Sequence, residues 1–287
     1  MSSDIRTTPL YKGKVHSDFM RECTCALELC YNLHSFTYTP TANTPILPIL
    51  QKRDRLRELR IAARFTTSQA ATLAKVRKLE KLELDYGSWE VMDILPTWAA
   101  SLQKTLTSLT LFMPSELNMG VLEAALIHLP RLLGLHVMGC PSIDHVKVMK
   151  LVSQTPMLES LAFSITETAT PPTLPFPPPS LSHLRHLALD VRGGLTANPA
   201  SAATLLSVLT SIKTSFPSLE SVALKVPDLK PEASHELVKK LLEQHEQTLR
   251  RLVFIDAIIE IKSISEICRR CLKLKVLSLP LPMKEIV

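Results

Sequence analysis

A short apolar pattern, Leu-x-x-Leu-x-Leu with conservative replacements, returns ten times along the chain and narrows what it can fold into. Its occurrences begin at Leu33 (with Phe36 and Tyr38), Leu56 (Leu59, Ile61), Leu79 (Leu82, Leu84), Leu106 (Leu109, Leu111) and Leu132 (Leu135, Val137). The series continues at Leu158 (Leu161, Phe163), Leu184 (Leu187, Leu189), Leu219 (Val222, Leu224), Leu249 (Leu252, Phe254) and Leu274 (Leu277, Leu279). Subtracting successive positions gives intervals of 23, 23, 27, 26, 26, 26, 35, 30 and 25 residues, most of them in or near the roughly 20–29 residues of one strand-plus-helix unit. The last two apolar residues of each copy are two apart, so an extended chain puts both side chains on one face and turns the residue between them to the other. The leading leucine packs from the bend entering the strand. Three side chains per unit thus point into an interior that no unit closes alone; parallel stacking makes it continuous and pairs the strand backbones.

Between the strands the chain reads as helix over 67–76, 120–129, 144–152, 200–215 and 232–247. In the last of these Leu237, Leu241 and Leu242 share one face, with Lys239, Lys240, Glu243 and Gln244 between and beyond them. Pro130, Pro156 and Pro217 each stand two residues before the next pattern leucine, where a ring that cannot continue a helix marks the turn into the strand. The expected fold class is α/β: a leucine-rich-repeat solenoid, or horseshoe, of about ten repeats with a parallel concave sheet and outer helices. Residues 23–280 form the repeat domain. Residues 1–22 are an N-terminal extension or incomplete cap, and 281–287 a C-terminal tail too short to cover the last repeat well. Inside the repeat domain, the proline-rich stretch 170–180 excludes a helix and reads as an extended, polyproline-like connection rather than as a PxxP ligand for an SH3 or WW domain.

The unit from Leu132 to Leu158 resembles the cysteine-containing leucine-rich repeat, whose pattern is LxxLxLxxCxxITDxxLxxLxxxCPxL. Cys140, Ile143, Leu151, Pro156 and Leu158 fill the matching places, with Asp144 one residue before the place of the pattern's aspartate, and Cys30 and Cys271 each precede a strand leucine by three residues as that family's terminal cysteine does. The resemblance covers roughly residues 20 to 280 and is strongest to the divergent F-box and leucine-rich-repeat proteins of fungi. It implies a protein-interaction module that recognises substrates or acts as a scaffold in an F-box-type ubiquitin ligase. A cullin-adaptor protein would be a partner only with an F-box upstream of the repeats, and nothing before Cys30 resembles one. The alternative is a free-standing repeat protein that regulates or inhibits an enzyme by covering it.

Composition bears on what else the chain could be. Seven glycines against 21 prolines, with no GxGxxG and no GxxxxGK[ST], leave no phosphate-cradling loop. The net charge is +6, but 33 basic residues are scattered among 27 acidic ones and aromatics are 5%, which does not make the dense basic, aromatic-interleaved groove of a nucleic-acid binder. No stretch approaches eighteen consecutive apolar residues and Met1 to Lys14 lacks a signal-peptide core, so no membrane partner is expected and the location is read as cytoplasmic and/or nuclear. Cys268 and Cys271, with the distant Cys23 and Cys25, read as small, buried, reduced core cysteines rather than as a zinc site. Nine dispersed histidines come with no HExxH or GxSxG, so no catalytic residue, metal ligand or cofactor is assigned and no enzyme is expected.

The outward strand residues form the candidate binding face. They run from Glu58 and Arg60 and Lys81 and Glu83, through Ser108 and Thr110, Gly134 and His136, Ser160 and Ala162, His186 and Ala188, and Ser221 and Ala223, to Arg251 and Val253. The middle rungs carry small side chains that let a partner approach the backbone, and charges lie at the ends. A protein partner is expected on the concave face. Thr110, His136, Ser160 and His186, flanked by Phe112 and Met138, form the contact floor, with Arg60, Lys81 and Arg251 at its ends.

Overall fold

A computed structural model describes residues 17–39, 45–166, 181–191, 201–213, 219–227 and 231–280. Ten strands form one sheet in strict sequence order: β1 (Ser35–Tyr38), β2 (Glu58–Ala62), β3 (Lys81–Asp85), β4 (Ser108–Phe112), β5 (Gly134–Met138), β6 (Ser160–Ser164), β7 (His186–Asp190), β8 (Ser221–Lys225), β9 (Arg251–Ile255) and β10 (Val276–Ser278). Every neighbouring pair is parallel. The helices are α1 (Ser17–Leu29), α2 (Leu47–Leu50), α3 (Thr67–Leu73), α4 (Trp89–Leu102), α5 (Met119–Leu126), α6 (His145–Leu151), α7 (Ala202–Lys213), α8 (Pro231–His245) and α9 (Ile261–Arg270), with a short 3-10 turn, Val152–Gln154, after α6. This is an α/β leucine-rich-repeat solenoid. Among the described residues no helix is long and apolar enough to cross a membrane.

Register follows from the repeat. Leu59, Leu82, Leu109, Leu135, Leu161, Leu187, Val222 and Leu252 align as one continuous row across β2 to β9, each at most 2% exposed. Ile61, Leu84, Leu111, Val137, Phe163, Leu189, Leu224 and Phe254 form a second buried row two residues on. Strands about 4.8 Å apart carry helices that need about 8–10 Å each, so the stack bends with its sheet on the inner side.

Each helix buries one face onto this core for local reasons. The Asn118 side chain accepts from the Val121 N–H at 3.1 Å and starts α5, and Asp144 does the same for the Lys147 N–H at 2.8 Å in α6. At α3 the Gln69 side chain accepts from the Thr66 N–H at 3.0 Å, closing a capping box. Leu237, Leu241 and Leu242 of α8 are buried, as their spacing requires.

Four helices, α1, α2, α4 and α9, lie outside the five helical ranges read from the sequence. α4, with Pro96 inside it, is absent from that reading because an interior proline costs a helix about 3 kcal/mol; here burial of Val91, Met92, Leu95, Trp98, Ala99 and Leu102 offsets it. Trp98 also donates its Nε1–H to the Val76 carbonyl at 2.9 Å. α1 runs across position 22, with Leu27 buried and the Arg53 guanidinium donating to the Leu27 and Glu28 carbonyls at 3.0 and 2.8 Å. The proline-rich stretch, Pro217 and the C-terminal tail lie outside the described residues.

The terminal repeats show what stacking contributes. Phe36, Tyr38, Leu274, Leu277 and Leu279 are only partly buried, although they occupy positions that are sealed in the interior repeats. Leu135→Ala should therefore lower stability by about 2–5 kcal/mol in urea denaturation, the range for a sealed leucine, and Leu277→Ala by less than half as much. Equal losses would mean that neighbouring repeats do not supply the burial.

Candidate functional site

Because the register is continuous, the outward residues stand in three parallel rows. The first is Ser35, Glu58, Lys81, Ser108, Gly134, Ser160, His186, Ser221, Arg251 and Val276; the second is Thr37, Arg60, Glu83, Thr110, His136, Ala162, Ala188, Ala223, Val253 and Ser278. Phe112 and Met138 belong to the third, paired with each other and preceded by Asp85. Each candidate residue thus sits on the open sheet face or its rim.

His136 is held at the centre. Its Nδ1 is 3.3 Å from the Thr110 hydroxyl and its Nε2 is 3.0 Å from that of Ser160. Burial pushes its pKa below the ordinary histidine value, so the ring is neutral near pH 7. A neutral imidazole donates from one nitrogen and accepts at the other, so one hydroxyl donates to it and the other accepts from it. Beside it, Gly134 brings the floor close: an added Cβ would lie 3.1 Å from the Ser108 Oγ.

The Ser160–His136–Thr110 chain has the connectivity of a nucleophile, a base and an orienting group. The Ser160 N–H, however, donates to the Leu133 carbonyl at 2.8 Å, so it is spent on the sheet and does not face a developing oxyanion. The arrangement fixes the ring and leaves a rigid polar knob on the floor.

The charged N-terminal rungs are satisfied inside the sheet. Arg60 Nε donates to Asp85 Oδ2 at 3.0 Å and lies 3.6 Å from Glu83 Oε2. Lys81 pairs with Glu58, and its hydrogen bond holds that carboxyl below the usual range. Glu83 shifts the other way, because its burial outweighs the nearby Arg60. Arg251 differs: its in-register neighbours are Ser221 and Val276, neither of them a carboxylate. A depression lined by Ser35, Thr37, Glu58, Leu59, Arg60, Lys81 and Glu83 has a volume of about 180 Å³, below the roughly 300–1,000 Å³ of a small-molecule pocket.

The sequence reading missed a rim cluster. Tyr86 meets Phe112 edge to face at 5.9 Å, and the Arg64 guanidinium lies 5.4 Å from the Tyr86 ring centroid. Tyr86 (φ 56°), Met113 (φ 53°) and Gly139 (φ 66°) each follow the last residue of a strand and turn the chain through the left-handed region. That shared offset is the signal that could have found them.

The thiols correct the expectation of uniformly buried cysteines. Cys140 and Cys271 are buried, and burial pushes the Cys140 thiol up to about 12, far from a reactive thiolate. Cys23, Cys25, Cys30 and Cys268 are exposed; Cys268 lies on the solvent side of α9, whereas Cys271 ends that helix against the core. Among the described residues no group of three or more histidine, cysteine or acidic side chains is placed to hold a metal ion.

No protein-family profile matches the chain, and no curated protein matches it significantly. Among solved structures it is similar to the leucine-rich repeat-containing protein LegL7 of Legionella pneumophila, at 14% identity and TM-score 0.45 over 79% of this chain and 75% of that one. The assignment of the fold rests on strand order and register.

Away from the open face, His245 of α8 is buried and its Nδ1 accepts from the Leu219 N–H at 3.2 Å. Burial lowers its pKa from 6.5 to about 4. Between those values the unfolded chain binds the proton and the folded one does not. This contribution to stability is therefore complete above about pH 6.5 and is lost as pH falls towards 4. His245→Gln should lose less of its urea midpoint than the wild-type protein does between pH 7 and pH 4.5. An unchanged slope would assign the acid sensitivity to other groups.

Proposed function

We propose that the chain is a protein-binding repeat domain whose partner lies along the open face of the sheet. The observation that carries this reading is the arrangement of the middle rungs. His136 is fixed between Thr110 and Ser160, with Gly134, Ala162, Ala188 and Ala223 around and beyond it in register. Small residues admit a partner's backbone, while a fixed imidazole and two hydroxyls supply directional contacts at little further ordering cost. A broad in-register face of this kind suits an extended protein segment.

The narrower reading, substrate recognition in an F-box-type ubiquitin ligase, is supported by the resemblance of the Leu132–Leu158 unit to the cysteine-containing repeat. In that unit Cys140 and Ile143 are buried and Asp144 caps α6. A cullin-adaptor protein is a partner under this reading only with an F-box upstream.

Affinity capture from the native cell extract, followed by mass spectrometry, tests the face. His136→Arg combined with Ser160→Arg places two long cations on the floor and should abolish recovery of the partner captured by the wild-type chain. Undiminished recovery by the folded double variant would remove the middle rungs from the interface.

A further inference from the structure

The open face is electrically polarised along the solenoid. Over β2 and β3, with the residue before each strand, the acids Glu58, Glu80, Glu83 and Asp85 meet the bases Arg57, Arg60 and Lys81. Each base is paired: Arg57 with Glu80 at 3.4 Å, Arg60 with Asp85 and Glu83, and Lys81 with Glu58. Over β7 to β10 the balance reverses. Arg185, Lys225, Arg250, Arg251 and Lys275 face only Asp190 and Glu220 among the described residues at these positions. Lys225 and Asp190, both largely buried, answer each other at 3.4 Å.

The remaining cations are partly preorganised. Glu220 accepts from Arg185 Nη1 at 2.7 Å and lies 3.4 Å from Arg250 Nε, so one carboxylate holds two guanidiniums in place. Their side chains remain 58% and 50% exposed. One strand position further on, His186, Ser221 and Arg251 stand in register, and Ala188, Ala223 and Val253 form the parallel row beside them. Glu159, before β6, closes the basic patch on its other side.

We propose that the β7–β10 half of the open face binds an acidic, extended segment of a partner protein. One of its carboxylates sits over Ser221, between His186 and Arg251, each one strand spacing away at about 4.8 Å. Arg185, Arg250 and Lys275 along the edge meet further acids. The alanine row beside them lets the segment's backbone approach the sheet. An excess of cations over carboxylates on one half and internally neutralised pairs on the other also set the direction in which the segment lies. A single-stranded nucleic acid would supply the same negative charge, but these rows, at His186 to Asp190, Ser221 to Lys225, Arg251 to Val253 and Val276 to Ser278, carry no phenylalanine, tyrosine or tryptophan, so His186 alone offers a ring where successive bases would each need one.

This inference rests on the protein-binding reading above and specifies its partner. It is tested by fluorescence anisotropy on the full chain with three probes: a labelled peptide of alternating glutamate and alanine, its glutamine–alanine counterpart, and an oligothymidylate of equal charge. The glutamate peptide should bind, the glutamine peptide should not, and the oligothymidylate should bind no more tightly than the glutamate peptide. Arg250→Glu with Arg251→Glu should weaken glutamate-peptide binding by about tenfold or more. Lys104→Glu with Lys239→Glu, an equal charge change at exposed positions off the open face, should leave it unchanged; circular dichroism melts establish that both pairs fold. No binding of the glutamate peptide, equal weakening by both pairs, or tighter binding of the oligothymidylate would overturn the proposal. A natural partner lost by the His136→Arg, Ser160→Arg variant but kept by the Arg250→Glu, Arg251→Glu variant would leave the protein-binding face standing and remove its acidic specificity.

Discussion

The structure depends on parallel, in-register pairing of ten short strands whose inward side chains cannot be buried by their own repeat. Each strand satisfies its backbone on its neighbours, and each pair of inward residues is sealed by the pairs on either side. A slip of one residue would turn Leu135 and Val137 outward and drive Gly134, His136 and Met138 into the core, so burial and register enforce each other. The partly exposed Phe36, Tyr38, Leu277 and Leu279 of the end repeats show the same dependence from the other side. The outward rows on the open face are a consequence: rows of leucine inside impose rows of serine, alanine, histidine and charge outside.

Most of the fold was legible in the sequence, because the pattern that places the strands is also the pattern that makes them stable. Leu-x-x-Leu-x-Leu states which residues face in, and alternation then states which face out. What stayed hidden has local causes. Pro96 masks α4, since its cost shows at one position while its compensation comes from six buried side chains spread over the whole helix and from a Trp98 bond to the Val76 carbonyl, 22 residues away. α1 lies largely outside the repeats and is tied down by an arginine at position 53. Cys268 and Cys271 differ by three residues in sequence and by a full change of environment, which spacing from the strand leucine does not capture.

The candidate face was legible as positions but not as chemistry. Alternation places Thr110, His136 and Ser160 outward on successive strands, but only the register brings both hydroxyls to one imidazole. Arg60 and Lys81 read as charged ends of the contact floor in the sequence; in the folded chain Asp85, Glu83 and Glu58 answer them, whereas Arg251 has no carboxylate as an in-register neighbour. The Arg64–Tyr86–Phe112 cluster escaped because it is built on a left-handed turn at a tyrosine, which no residue preference announces.

The proposed partner protein lies on the middle strands of the open face. Hydroxyl-radical footprinting of the chain, free and bound to its captured partner, tests this directly, because it reads individual side chains. Oxidation of Phe112, His136 and Met138 should fall in the complex while that of Met157, exposed in the turn after α6, should not change. Protection of Met157 with unchanged labelling of the three face residues would place the partner on the helical side and contradict it.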